Sequence, residues 1–207
     1  MILPGNDIRE LVRSRAVDLN IQIQPAGIDL TVRDISQFMG HGALDFSNEK
    51  RKLPVMSYLD IREDEPLVLE KGSYMIYCDP VIEIPMDMIA FAQPRSSLTR
   101  MGCGIHSGIW DPGYEGDSVF VLNVYNPYGM RIYKNARIAQ LVYVRMESPA
   151  EEGYDGVYQG HGTADMDFQG IGWIEKGQMV FDKKTKRPEC TPEIDNPNET
   201  HKNMTRV

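Results

Sequence analysis

Two short stretches carry the residue types best suited to chemistry. The first is Gln93-Pro94-Arg95-Ser96-Ser97-Leu98 and the second is Ser107-Gly108-Ile109-Trp110-Asp111-Pro112-Gly113-Tyr114-Glu115-Gly116. An arginine presents a rigid fork of donors, and serines add short hydroxyl and backbone donors. That set suits a phosphate. A lone carboxylate, Asp111, stands beside a Gly-rich turn and could align a water. Together they suggest chemistry on a phosphorylated ligand.

Each residue also has a plainer reading. Ser96 and Ser97 could cap a short helix, and Arg95 could lie on the surface. A helix start also offers free N–H groups to an anion, so the two readings are compatible. Asp111-Pro112-Gly113-Tyr114 has turn chemistry, and Glu115 and Asp117 could simply be solvated. Asp111 follows the apolar pair Ile109-Trp110, which predicts a place at a strand end near the interior. Tyr114 is either an aromatic platform for a sugar or base, or a half-buried strand residue.

Two further segments belong to the same set. Gln24-Pro25-Ala26-Gly27-Ile28-Asp29-Leu30 places a carboxylate after a Gly turn and inside an apolar strand. Asp29 either caps local backbone or holds a hydrated metal ion, for which magnesium is suited because it keeps several waters. Arg137-Ile138-Ala139-Gln140-Leu141 reads as a strand, and its period of two puts Arg137 and Gln140 on opposite faces. The dinucleotide fingerprint is absent. His41, His106, His161 and His201 lie far apart with no Cys-x-x-Cys, which argues against zinc. His106 reads better as a strand histidine with a structural hydrogen bond than as a functional group.

The elements that must position these residues are mostly strands. Leu67-Val68-Leu69, Tyr74-Met75-Ile76-Tyr77, Val81-Ile82-Glu83-Ile84, Met88-Ile89-Ala90-Phe91, residues 119–125 and residues 138–144 are short β-rich runs. Ile21-Gln22-Ile23-Gln24 alternates in the same way. Such spacing predicts an all-β barrel or jelly-roll-like sandwich. Asn6 as an N-cap, with Ile8, Leu11 and Val12 on one face, predicts a short amphipathic helix over residues 6–16. A helical turn or two is expected over residues 96–102.

The chain has 207 residues, 42% of them apolar, enough for one domain with a core. Its net charge of -8 disfavours nucleic acid as a partner. No apolar run is long enough for a membrane span, and the N-terminus does not read as a signal peptide. Cys78, Cys103 and Cys190 read as reduced thiols of a cytoplasmic protein. The expected organisation is a barrel domain over residues 1–150, a Gly- and aromatic-rich arm over 151–170, and a polar tail over 171–207. Within that tail, Gly170-Ile171-Gly172-Trp173-Ile174 and Met179-Val180-Phe181 are compatible with a small hairpin.

Taken in order, the 25–30, 94–98, 108–116 and 137–141 motifs followed by a Gly-rich aromatic arm resemble the superfamily of dUTPases and metal-independent dCTP deaminases. The resemblance covers roughly residues 1–163 and is nearest the archaeal-type dUTPases. It implies a distorted β-barrel, a homotrimer with active sites at subunit interfaces, magnesium, and a deoxynucleoside triphosphate ligand. It assigns Asp111 to the attacking water and Arg95, Ser96, Ser97 and Gln140 to phosphate oxygens. Asp29 would hold magnesium through water. The hairpin from Ile105 to Trp110, with Gly108 for close approach, would read the base, and Tyr114 would stack beneath the deoxyribose. An arm with Tyr158, Gln159, Gly160 and His161 would close over the triphosphate, but it lacks the arginine that starts the usual dUTPase arm. In the deaminases a glutamate in the following strand shuttles protons at the ring. That position falls on Asn123 matched backwards from Tyr125-Asn126, or on Val121 matched forwards from Gly116. Neither is an acid/base at neutral pH, which favours dUTP diphosphatase. A dCTP deaminase, a bifunctional deaminase-diphosphatase and a noncatalytic nucleotide-sensing protein remain the alternatives.

Overall fold

A computed structural model describes residues 1–160 and the backbone of two short strands, Trp173–Glu175 and Gln178–Val180. The expected His161 contact lies outside the described residues, as do the rest of the arm beyond Gly160 and most of the tail.

The strands are β1 (Val12–Ser14), β2 (Ile23–Gln24), β3 (Gly27–Phe38), β4 (Met56–Leu59), β5 (Leu67–Leu69) and β6 (Gly72–Glu83), then β7 (Met88–Pro94), β8 (Cys103–His106), β9 (Glu115–Val124), β10 (Met130–Ile132) and β11 (Arg137–Arg145). Among the described residues the α-helices are α1 (Gly5–Ile8), α2 (Leu19–Gln22) and α3 (Ser96–Arg100). The main sheet runs β4-β3-β6-β9-β8, and β11 pairs antiparallel with both β3 and β7. It curls into a nearly closed barrel, with β5 and β10 as a separate ribbon. The expected all-β barrel is thus the observed architecture. Ile28, Leu30, Ile76, Leu122 and Leu141 are fully buried and form its centre. The first six residues of β3 are all buried, so both of its faces are covered.

Tertiary pairing overrides local pattern near the N-terminus. The expected helix over residues 6–16 is only α1 followed by a single 3-10 turn, Arg9–Leu11. Asn6 does not cap it; the N-cap position is Pro4. Val12 and Ser14 instead pair with Ile82 and Val81 of β6. β-branched Val12 suits that strand better than a helix. Ile21-Gln22 also departs from the expected strand, because the Asp18 side chain accepts from the Asn20 amide at 2.9 Å and starts α2. Gln22 is buried and donates to the Asp29 carbonyl at 3.0 Å, which ties α2 to β3.

In the tail, Trp173–Glu175 (β12) and Gln178–Val180 (β13) form the expected antiparallel hairpin. Among the described residues no helix is long and apolar enough to cross a membrane.

Candidate active site

Arg137 and Gln140 lie on one face of β11, contrary to the simple alternation. Arg137 is opposite Thr31, Ala139 is opposite Leu30 and Gln140 is opposite Asp29. One extra residue, Ile138, is therefore inserted, and this bulge moves Arg137 to the face shared by Thr31 and Asp29.

The Arg137 guanidinium donates through Nη1 to Asp29 Oδ2 at 3.2 Å and to the Ile21 carbonyl at 3.1 Å. Arg95 follows directly on β7, where its amide donates to the Ile138 carbonyl at 3.1 Å. Its Nε lies 3.1 Å from the same Asp29 oxygen, and its Nη1 donates to the Arg137 carbonyl at 3.3 Å. With Asp29 ionised, two guanidiniums around one carboxylate leave one positive charge. Burial pushes the Asp29 carboxyl above its ordinary range, while Arg95 and Arg137 pull it down. Gln140 is half-buried beside them. A Cβ on Gly27 would come 2.4 Å from the Leu141 carbonyl oxygen and 3.0 Å from the Gln140 side chain, so glycine is what lets β3 and β11 approach here.

Ser96 and Ser97 open α3 and are exposed. The helix is the short one expected, but the N-cap position is Arg95 and no side chain caps it. The first amides of α3 are unpaired within the helix in the usual way. Asp29, Arg95, Ser96, Ser97 and Gln140 are therefore gathered at one end of β7. Arg137 joins this group, although alternation alone turned it to the other face.

Asp111 lies elsewhere. Trp110 forms a two-way backbone bridge with Ala90, at 2.9 and 3.0 Å, and is itself buried. Ala90 stands five residues before Arg95 on β7, roughly 16 Å away at the rise of a strand. Asp111 is exposed rather than near the interior, because only its Trp110 neighbour turns inward. Tyr114 is buried rather than half-buried. Its hydroxyl donates to the Asp117 carbonyl at 2.6 Å and its ring meets Tyr154 edge-on at 5.6 Å. Asp117 is not solvated: its carboxylate is fully buried and paired with Arg33 at 2.6 Å and with Arg15.

The 105–110 segment is open at its tip. Gly108 is exposed with free space around its α-carbon, and Ile105 is half-buried opposite Leu122 of β9. His106 does carry a structural bond, with Nδ1 2.7 Å from the Asn123 amide nitrogen. The Asn123 carbonyl oxygen accepts from Ser73 at 2.6 Å.

Gln159 does not face an open site. Its side chain donates to the Gly113 carbonyl at 2.8 Å and accepts from the Glu115 amide at 3.0 Å. Both amide ends are thus committed to the Asp111 loop. Tyr158 is 42% exposed and so remains accessible. Among the described residues no group of three or more His, Cys, Asp or Glu side chains is arranged to hold a metal ion.

Residues 2–146 match the family model described as dCTP deaminase-like. The probable deoxyuridine 5'-triphosphate nucleotidohydrolase of Methanosarcina acetivorans is 42% identical over 78% of this chain and 98% of that one. The deoxyuridine 5'-triphosphate nucleotidohydrolase of Methanocaldococcus jannaschii is 46% identical over 67% of this chain and 88% of that one. The 2'-deoxycytidine 5'-triphosphate deaminase structure from Agrobacterium tumefaciens shares the fold, with a TM-score of 0.50 and 23% identity over 69% of this chain. This chain spans about half of that structure, 47%.

Proposed function

The chain belongs to the dCTP deaminase-like family, and we propose that it acts in it as a dUTP diphosphatase, converting dUTP and water to dUMP and diphosphate. The observation that carries this choice is that β9 offers Asn123 or Val121, the two positions that match the deaminase glutamate, and neither is an acid/base. Asn123 is a neutral amide spanned between His106 and Ser73 and cannot move a proton at a cytosine ring. The archaeal relatives named as deoxyuridine triphosphate nucleotidohydrolases support the same choice.

One chain supplies two half-sites at opposite ends of β7. A complete site then needs a second copy, consistent with a homotrimer whose sites lie between subunits. Arg95 and Arg137 would present the positive field for the triphosphate, and Ser96, Ser97 and Gln140 would add hydrogen bonds to its oxygens. From a neighbouring subunit, Asp111 would hold a water in line with the α-phosphorus and accept its proton. The new bond forms between that oxygen and phosphorus as the bond to diphosphate breaks; the proton passes on to solvent. Such a transfer depends chiefly on placement and charge neutralisation.

Four expected contacts change on this geometry. Gln159 is spent on the Asp111 loop, so phosphate contact from the arm would fall to Tyr158. Tyr114 and Trp110 lie too deep to stack on a sugar or base, and both serve as supports for the loop. Base reading would rest on the backbone at Ile105 and Gly108. Asp29 does not fit as the holder of magnesium, because its carboxylate is 2% exposed and engaged by two guanidiniums. Magnesium would arrive as the complex of the triphosphate, neutralising phosphate charge as part of the substrate.

The test is product analysis with magnesium and either dUTP or dCTP. Formation of dUMP and diphosphate from dUTP, with a loss of turnover by orders of magnitude but retained nucleotide binding in Asp111→Asn, is the expected result. Full activity in Asp111→Asn would remove it from the water-activating role.

A further inference from the structure

Residues 153–160 grip the Asp111 loop of their own chain. Gln159 bridges Gly113 and Glu115 with both ends of its amide, as a paired strand residue would. The Gly160 amide donates to the Glu115 carbonyl at 2.8 Å, and the Tyr154 amide donates to the Pro112 carbonyl at 2.7 Å. Tyr154 also packs edge-on against Tyr114. Gly113 has φ of 80°, and a Cβ there would come 2.9 Å from the Gly153 α-carbon. The two backbones thus touch. On its inner side the loop is held by paired bonds with Ile84, in which the Gly113 amide donates to the Ile84 carbonyl and the Ile84 amide to the Tyr114 carbonyl, both at 2.8 Å. Residues 153–160 thus supply hydrogen bonds along the outer side of the loop, at Pro112, Gly113 and Glu115.

We infer that Gln159 is a positioning residue for Asp111. The inference rests on the diphosphatase reading and deepens it: residues 153–160 act as a latch that fixes the aspartate's loop, in place of a phosphate contact. The cost of losing such a latch is misplacement. Asp111 is an exposed carboxylate on a Pro-Gly turn, so its place follows that of its loop, and a shift of about 1 Å in a reacting group can cost on the order of a hundredfold in rate. The amide is the right group because it offers a donor and an acceptor in one plane, the two that Gly113 and Glu115 require.

The experiment is a double-mutant cycle on the full chain with dUTP and magnesium, using Gln159→Met, which keeps the volume but cannot bridge. Gln159→Met should lower kcat by about tenfold to a hundredfold with KM held within about twofold. In the Asp111→Asn background the same change should cost less than about twofold, because its effect runs through Asp111. Gln159→Glu keeps the acceptor for Glu115 but loses the donor to Gly113, and should fall between wild type and Gln159→Met. Equal losses in both backgrounds would overturn the inference and leave the diphosphatase reading standing. So would a raised KM at unchanged kcat, since that would make Gln159 a substrate contact. Absence of dUTP turnover in the wild-type chain would overturn both.

Discussion

The Arg137 guanidinium reaches Asp29 at 3.2 Å from the neighbouring strand, and it does so because a single inserted residue shifts the register of β11. The same bulge aligns Gln140 with Asp29. One irregularity in pairing therefore builds the positive end of the site. Arg95 joins it from the end of β7, so three strands converge on one buried carboxylate.

Removing Arg137 should weaken substrate binding more than turnover. A charged hydrogen bond to phosphate contributes about 1.5–3 kcal/mol, so Arg137→Met should raise KM for dUTP by roughly tenfold to a hundredfold. Arg137→Lys should not restore it, because an ammonium cannot reach the Ile21 carbonyl and Asp29 with the same planar fork. Steady-state kinetics on both variants checks this, and an unchanged KM would assign Arg137 to folding alone.

Asp29 should leave a signature in stability against pH. Its carboxyl is raised by burial, and the two arginines only offset this. The folded state then binds the proton more tightly than the unfolded chain does. The stability contributed by this group is full below the unfolded value, about 3.9, and is lost as pH rises through the folded value. Asp29→Asn lacks that dependence. Urea unfolding of both proteins from about pH 4 upwards should show the wild type losing stability relative to Asp29→Asn as pH rises, then levelling. Parallel curves would contradict the raised value.

Truncation separates the two parts of the arm. A chain ending after Glu152 loses Tyr154, Gln159 and Gly160 from the Asp111 loop. It should lose about 1–3 kcal/mol of stability and much of its turnover, while light scattering reports the same assembly as for the full chain. A chain ending after Gly160 keeps the latch and should keep the stability that the shorter chain loses. Full turnover in the shorter chain would show that the loop holds its shape unaided.

Deamination should be absent. Asn123 is bonded on both sides and is neutral, so dCTP should release no ammonia even over long incubation. Ammonia release would mean that a different acid/base serves the ring.

Much of the barrel was legible in the sequence, because β-rich runs between turn residues declare themselves locally. The runs at 67–69, 88–91, 119–125 and 138–144 became β5, β7, β9 and β11. The motif residues were legible too, since an arginine beside serines, or an aspartate on a Gly turn, carries its chemistry in its type. Residues 6–16 and 21–24 misled because short amphipathic segments take whichever form their neighbours complete. An open edge on β6 drew Val12 and Ser14 into a strand.

By itself, then, the sequence determined which groups are present and that strands must carry them. Only the tertiary structure decided which groups meet. The bulge at Ile138, the burial of Asp117 and the commitment of Gln159 to Gly113 and Glu115 all depend on contacts between residues far apart in the chain. Local propensity cannot encode such contacts. They arise when strand register and backbone approach settle together, and each side chain then takes the partner that packing leaves within reach.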